Sequence, residues 1–95
     1  MARRRYLMAY DIADPARLRR ICTLMEERGQ RLQYSVFLCD LTRAEFGELE
    51  DSVVARMSLA DDSVVQIDLG PVDSCAAVRS IGRPRRLPRS GNQIV

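Results

Sequence analysis

A chain of 95 residues, 46% hydrophobic and 29% charged with no tryptophan, has room for one compact soluble domain and not for two. It contains no histidine, which excludes histidine-ligated zinc, Ser-His-Asp triads and Cys-His pairs, so any catalysis has to run on carboxylates, hydroxyls, thiols or arginine. The net charge of +2 conceals an asymmetry: residues 1–31 carry eight arginines and four acids, residues 32–78 two arginines and nine acids, and residues 79–95 five arginines and no acid.

Tyr6-Leu7-Met8-Ala9-Tyr10 is a short apolar run of strand formers that ends at Asp11 and reads as a buried central strand. Asp14-Pro15 opens a helix, because an aspartate oxygen can accept from the first free amides and proline at the first helical position forfeits nothing. Leu18, Ile21, Cys22 and Met25 recur at helical spacing and predict its buried face, and Gly29 predicts its end. Arg31 to Leu41 has strand character, with Leu32, Tyr34, Val36 and Leu38 alternating against Gln33, Ser35, Phe37 and Cys39; one strand and a pair in tight reversal both fit.

Thr42-Arg43-Ala44-Glu45 is a capping box that starts a second helix, buried along Phe46, Leu49, Val53 and Met57 and acidic outside through Glu45, Glu48 and Asp51. Asp61-Asp62 predicts a turn, Ser63 to Leu69 a strand stopped by Gly70-Pro71, and Ala76 to Ile81 a weaker strand. These elements make up a domain over residues 1–81. Residues 82–95 are too rich in Pro, Gly and Arg to pack alone and form an arm expected to order on a partner.

The order strand, helix, one or two strands, helix, strand predicts an α+β ferredoxin-like βαββαβ fold, with an additional C-terminal strand and both helices on one face of an antiparallel sheet. The other face needs cover, and for a chain this small the expected cover is a second copy, which makes a homodimer. No apolar run approaches the roughly 20 residues that span a bilayer, so no membrane association is expected. Cys22, Cys39 and Cys75 are odd in number and lack metal-site spacing, which fits packing residues in a reducing cytoplasm.

Three blocks carry a resemblance to a known family. They are Tyr10-Asp11-Ile12-Ala13-Asp14, the run Gly29-Gln30-Arg31-Leu32-Gln33-Tyr34-Ser35-Val36-Phe37-Leu38-Cys39-Asp40-Leu41, and Asp62-Ser63-Val64-Val65. With their spacing they resemble the small CRISPR-associated adaptation protein, the second of the two core CRISPR proteins (Cas-two), over most of residues 5–70. The resemblance implies a ferredoxin-like homodimer that binds double-stranded DNA and bridges dimers of the CRISPR integrase during spacer acquisition. It also implies a metal-dependent endonuclease acting on double-stranded DNA or single-stranded RNA with magnesium or manganese. The arginine-rich stretch before Ile94-Val95 departs from the family's tail.

Residue by residue, two readings stand side by side. Asp11 is either a strand-end aspartate that begins the turn or, as the resemblance implies, the catalytic metal ligand, one from each protomer, since a single carboxylate holds hydrated magnesium poorly. Asp14 fits the helix cap. Arg17, Arg19 and Arg20 lie in the first turns of a helix, where cations oppose the dipole; they are either solvated charge or phosphate contacts. The resemblance adds Arg20 and Arg31 as arginines that matter for cleavage and for nucleic-acid binding, and Tyr10 and Phe37 as aromatics near the cleavage site, where composition alone reads core side chains. Ser35 is a hydroxyl for a metal-bound water or for the backbone. A regulatory or small-molecule ferredoxin-like module is the competing function, disfavoured by the missing glycine-rich loop and by the arginine asymmetry.

Overall fold

A computed structural model describes residues 2–83 and 93–94 of the protein. β1 (Arg4–Asp11) is followed by α1 (Pro15–Arg28), β2 (Gln30–Gln33), β3 (Val36–Leu41), α2 (Arg43–Arg56) and β4 (Ser63–Pro71). The four strands form one sheet in the order β2-β3-β1-β4 with every neighbour antiparallel, the topology expected of a ferredoxin-like fold. β1 is central because its apolar run can be covered on one face by helices while both edges are paired.

Alternation along β1 divides the sheet. Tyr6, Met8 and Tyr10 point into the core with Phe37, Cys39 and Leu41 of β3 and with Ile21, Met25, Leu49 and Val53 from the helices. Tyr6 stacks on Phe46 of α2 with ring centroids 3.9 Å apart. Arg5, Leu7, Ala9 and Asp11 fall on the opposite face, where Leu7 pairs with Leu38 and Ile67, and Ala9 with Val36 and Val65. Among the described residues neither α1 nor α2 lies on that face; Arg5 and Leu38 are buried there, whereas Val65 and Ile67 are 53% and 46% exposed.

Local chemistry sets the helix ends where the residue types indicate. The Asp14 Oδ2 accepts from the Arg17 N–H at 2.9 Å. Thr42 and Glu45 exchange both bonds of the capping box, at 3.1 and 2.9 Å, and the Arg3 guanidinium also donates to the Glu45 carboxylate. Together these donors hold the Glu45 carboxyl below the usual carboxylate range.

The Arg31–Leu41 region resolves into a hairpin. β2 and β3 are joined through Tyr34-Ser35, which interrupts the alternation and leaves Tyr34 73% exposed. Gly29, between α1 and β2, has an extended backbone that any residue adopts; the reason for glycine there is space. A Cβ at Gly29 would stand within 3.0 Å of the Leu38 carbonyl oxygen and the Cys39 Sγ. Gly29→Ala should therefore push β3 away from α1 and cost about 1–3 kcal/mol, read as a lower urea midpoint; an unchanged midpoint would show that β3 yields freely.

The strand expected over Ala76–Ile81 contracts to β5 (Arg79–Ser80), which runs parallel to β6 (Gln93–Ile94) and joins no strand of the main sheet. Between β4 and β5 a short 3-10 turn covers Val72–Ser74. Of the arm expected over residues 82–95, residues 84–92 and 95 lie outside the described residues. No helix among the described residues is long and apolar enough to cross a membrane.

Candidate functional site

The residues singled out by the sequence separate into three places. Asp11 is exposed at the end of β1, on the face away from α1 and α2, and pairs in register with Ser63 of β4. Among the described residues no three carboxylate, thiol or imidazole groups gather to hold a metal ion. Asp11 supplies hard oxygen donors of the kind magnesium prefers, but one carboxylate is an incomplete ligand set. A second Asp11, brought by another copy seated on the same apolar face, would complete a pair.

Tyr10, the adjacent residue, points the other way. It lies in the core with its ring stacked against Phe37 at 6.2 Å, and Phe37 is wholly buried. Arg31, on the edge strand β2, closes this second place from outside. Its guanidinium carbon lies 5.3 Å from the Phe37 ring centroid and 5.9 Å from that of Tyr34. One of its nitrogens donates to the Cys22 sulfur at 2.7 Å and lies 3.5 Å from the Glu26 carboxylate. Tyr10, Phe37 and Arg31 are therefore one cluster, while Asp11 stands on the other side of the sheet.

Most of the arginine charge near the start of the chain is already matched. Arg3 pairs with Glu45 at 2.9 Å, Arg4 with Asp68 at 2.9 Å and Arg5 with Asp40 at 2.7 Å. Arg5 is almost fully buried, and its bonds to Asp40 push its guanidinium value upward, keeping it charged in that setting. Arg4 and the Gly70 N–H hold the Asp68 carboxyl below its usual range. The basic segment and the acidic middle of the chain thus neutralise one another across the sheet.

Arg17 belongs to the same pattern. Its guanidinium donates to both oxygens of Asp62, at 2.8 and 3.2 Å, and the backbone N–H groups of Ala13 and Ser58 complete the shell at 2.9 and 2.8 Å. The Asp62 side chain is completely buried by these partners. A first-turn cation that opposes the helix dipole had lacked a local reason, and Asp62 supplies it from 45 residues away.

Arg19 and Arg20 differ. Neither makes a hydrogen bond or an ion pair among the described residues, and with Ala16 and Thr23 they line a shallow groove whose other wall includes Arg56 of α2. Arg56 was missed by sequence reading, because a cation in the last turn of a helix is already explained by the dipole. The guanidinium of Arg56 donates only to the Ser52 carbonyl of its own helix, at 3.0 Å. Three positive charges without an acid partner on one surface form a suitable seat for phosphate oxygens.

Comparison with known proteins places this arrangement among relatives. A family model described as CRISPR associated protein Cas2 matches residues 4–73. The chain is 39% identical over 82 residues to the CRISPR-associated endoribonuclease Cas2 1 of Rhodospirillum rubrum, which covers 82% of this chain and 78% of that protein. It is 41% identical over 59 residues to the CRISPR-associated endoribonuclease Cas2 3 of a Synechocystis species, spanning 62% of this chain and 64% of that relative's length. Among solved structures, Streptococcus pyogenes Cas2 at pH 6.5 is similar with a TM-score of 0.62 and 34% identity, over 66% of this chain and 82% of that one.

Proposed function

The chain belongs to the CRISPR-associated Cas2 family, and on that premise we propose that it is a homodimeric, nucleic-acid-binding protein of spacer acquisition with a magnesium-dependent endonuclease centre. The carrying observation is the position of Asp11, at the exposed end of the central strand on the apolar face that neither α1 nor α2 covers. A second copy on that face buries Val65, Ile67 and their neighbours and brings two Asp11 carboxylates to one place. Without a cation those carboxylates repel one another, so the pair is a metal site by its charge.

Magnesium or manganese bound there would activate a water and stabilise charge on a phosphodiester. The protein's own groups do the rest. Arg19, Arg20 and Arg56 hold backbone phosphates, which fixes the nucleic acid without reading its sequence. Arg31 is a second cation at the β2 edge, and Tyr10 and Phe37 position it by filling the core beneath. This binding surface fits a scaffold that bridges CRISPR integrase dimers on double-stranded DNA in the cytoplasm. The names of the relatives favour RNA as the cleaved strand.

The deciding experiment compares cleavage of double-stranded DNA and single-stranded RNA by wild type and Asp11→Ala, with and without magnesium. Loss of all magnesium-dependent cleavage in Asp11→Ala, with dimerisation and duplex binding retained, is the expected result. Cleavage that survives the substitution would overturn the nuclease centre and leave the scaffold.

A further inference from the structure

On the helix side of the sheet, Tyr10, Leu18, Arg19, Cys22 and Tyr34 enclose a cavity of about 100 Å³ that opens beside the exposed Tyr34. Two unusual groups meet there. The Tyr10 residue is 6% exposed and its hydroxyl is buried without any hydrogen-bond partner. Its nearest acceptor is the Cys22 sulfur, a weak one that it meets without good hydrogen-bond geometry. The second group is Cys22 itself, whose sulfur receives a bond from Arg31 at 2.7 Å. A guanidinium can only donate, so this sulfur is an acceptor.

The other two cysteines are differently placed. The Cys75 thiol donates to the Val72 carbonyl at 3.5 Å. Cys39 is wholly buried, and burial pushes its thiol up to about 12. Only the Cys22 sulfur combines an arginine donor, a cavity and a waiting hydroxyl.

We propose that Cys22 is a site of reversible oxidation by a hydroperoxide, giving a sulfenic acid whose oxygen accepts from the Tyr10 hydroxyl and draws Arg31 inward. The Cys22 sulfur attacks one peroxide oxygen; the S–O bond forms, the O–O bond breaks, and the thiol proton leaves with the departing oxygen as water. Sulfur is oxidised by two electrons and the peroxide is reduced. A water needs roughly 10–15 Å³, so the cavity admits hydrogen peroxide and cannot hold a nucleotide. The added oxygen gives Tyr10 a stronger acceptor than the sulfur it now faces. It also engages the guanidinium more strongly than sulfur does, which withdraws Arg31 from any phosphate. The thiol assignment stands on this geometry alone, whereas the switch rests on the proposed nucleic-acid function.

The test is peroxide titration of the full chain with dimedone trapping and peptide mapping. Cys22 should be labelled first, ahead of Cys75 and far ahead of Cys39. Arg31→Ala should slow its labelling roughly three- to tenfold, because the guanidinium beside the sulfur stabilises the negative charge that develops on the departing peroxide oxygen. Tyr10→Phe, which preserves packing, should shorten the sulfenic acid's lifetime severalfold. Preferential labelling of Cys75, or rates and lifetimes unmoved by both substitutions, would overturn the assignment. Peroxide should also weaken duplex binding by wild type but not by Cys22→Ser. Labelling at Cys22 with binding unchanged in wild type would overturn the switch and separate that failure from the thiol's.

Discussion

Replacing Asp62 by alanine is expected to be among the most damaging single changes to this fold, lowering the thermal midpoint by roughly ten degrees or more in a domain of this size. Asp62 is the buried acceptor of four bonds that tie three segments: the Ala13 N–H before α1, the Arg17 side chain on α1, and the Ser58 N–H after α2. Its loss leaves two amides without their acceptor and a guanidinium without its counter-charge. Asp62→Asn is the informative partner, since the amide keeps one acceptor oxygen and turns the other into a donor facing donors.

The same contacts make a pH prediction. Arg17 above all, then the Ser58 N–H and, against the opposing effect of burial, the Ala13 N–H hold the Asp62 carboxyl well below its ordinary value of 3.8. A carboxylate with a depressed value in the folded state contributes stability that is complete above its unfolded value and is lost as pH falls through the folded one. Wild type should therefore lose stability progressively below about pH 4, and Asp62→Asn should be less stable at neutral pH with a flatter acid limb. Equal acid dependence of the two proteins would show that other carboxylates govern acid unfolding.

Removing the charges of Arg19, Arg20 and Arg56 together is expected to have the largest effect on binding. Each lost phosphate contact lowers the slope of log K against log salt by about 0.9 on duplex DNA, so the triple alanine variant should lose between two and three units of slope. Its affinity at low salt should fall roughly a hundredfold. Arg3→Ala/Arg4→Ala is the control, because those cations already face Glu45 and Asp68. A triple variant with an unchanged slope would remove the groove from the interface. A control that loses as much slope would show that total charge, and not the groove, drives binding.

Sequence reading succeeded wherever the determinant is local. The ends of α1 and α2 follow from Asp14 and from the Thr42–Glu45 box, whose partners lie three residues away. Their buried faces follow from helical periodicity, which placed Ile21, Met25, Leu49 and Val53 in the core. The arginines next to Asp14 show where such reading stops. Arg17, Arg19 and Arg20 share one helical turn and one composition, yet Arg17 is matched by a buried carboxylate and the other two meet no acid among the described residues. Only the return of the chain from α2 into β4 brings Asp62 to Arg17.

Tyr10 and Asp11 are divided by the same kind of event. Adjacent in sequence and both attributed to one site, they point to opposite faces because β1 is extended, and the helices cover the Tyr10 side. The reversal at Tyr34-Ser35 likewise had two readings until the pairing of β2 with β3 selected one. By itself the amino-acid sequence determined the helices, their caps, the apolar stripes and the family blocks, since these rest on short-range hydrogen bonding and periodicity. Tertiary structure decided which face stays open, which charges cancel and which residues share a cavity, because each depends on contacts between segments tens of residues apart.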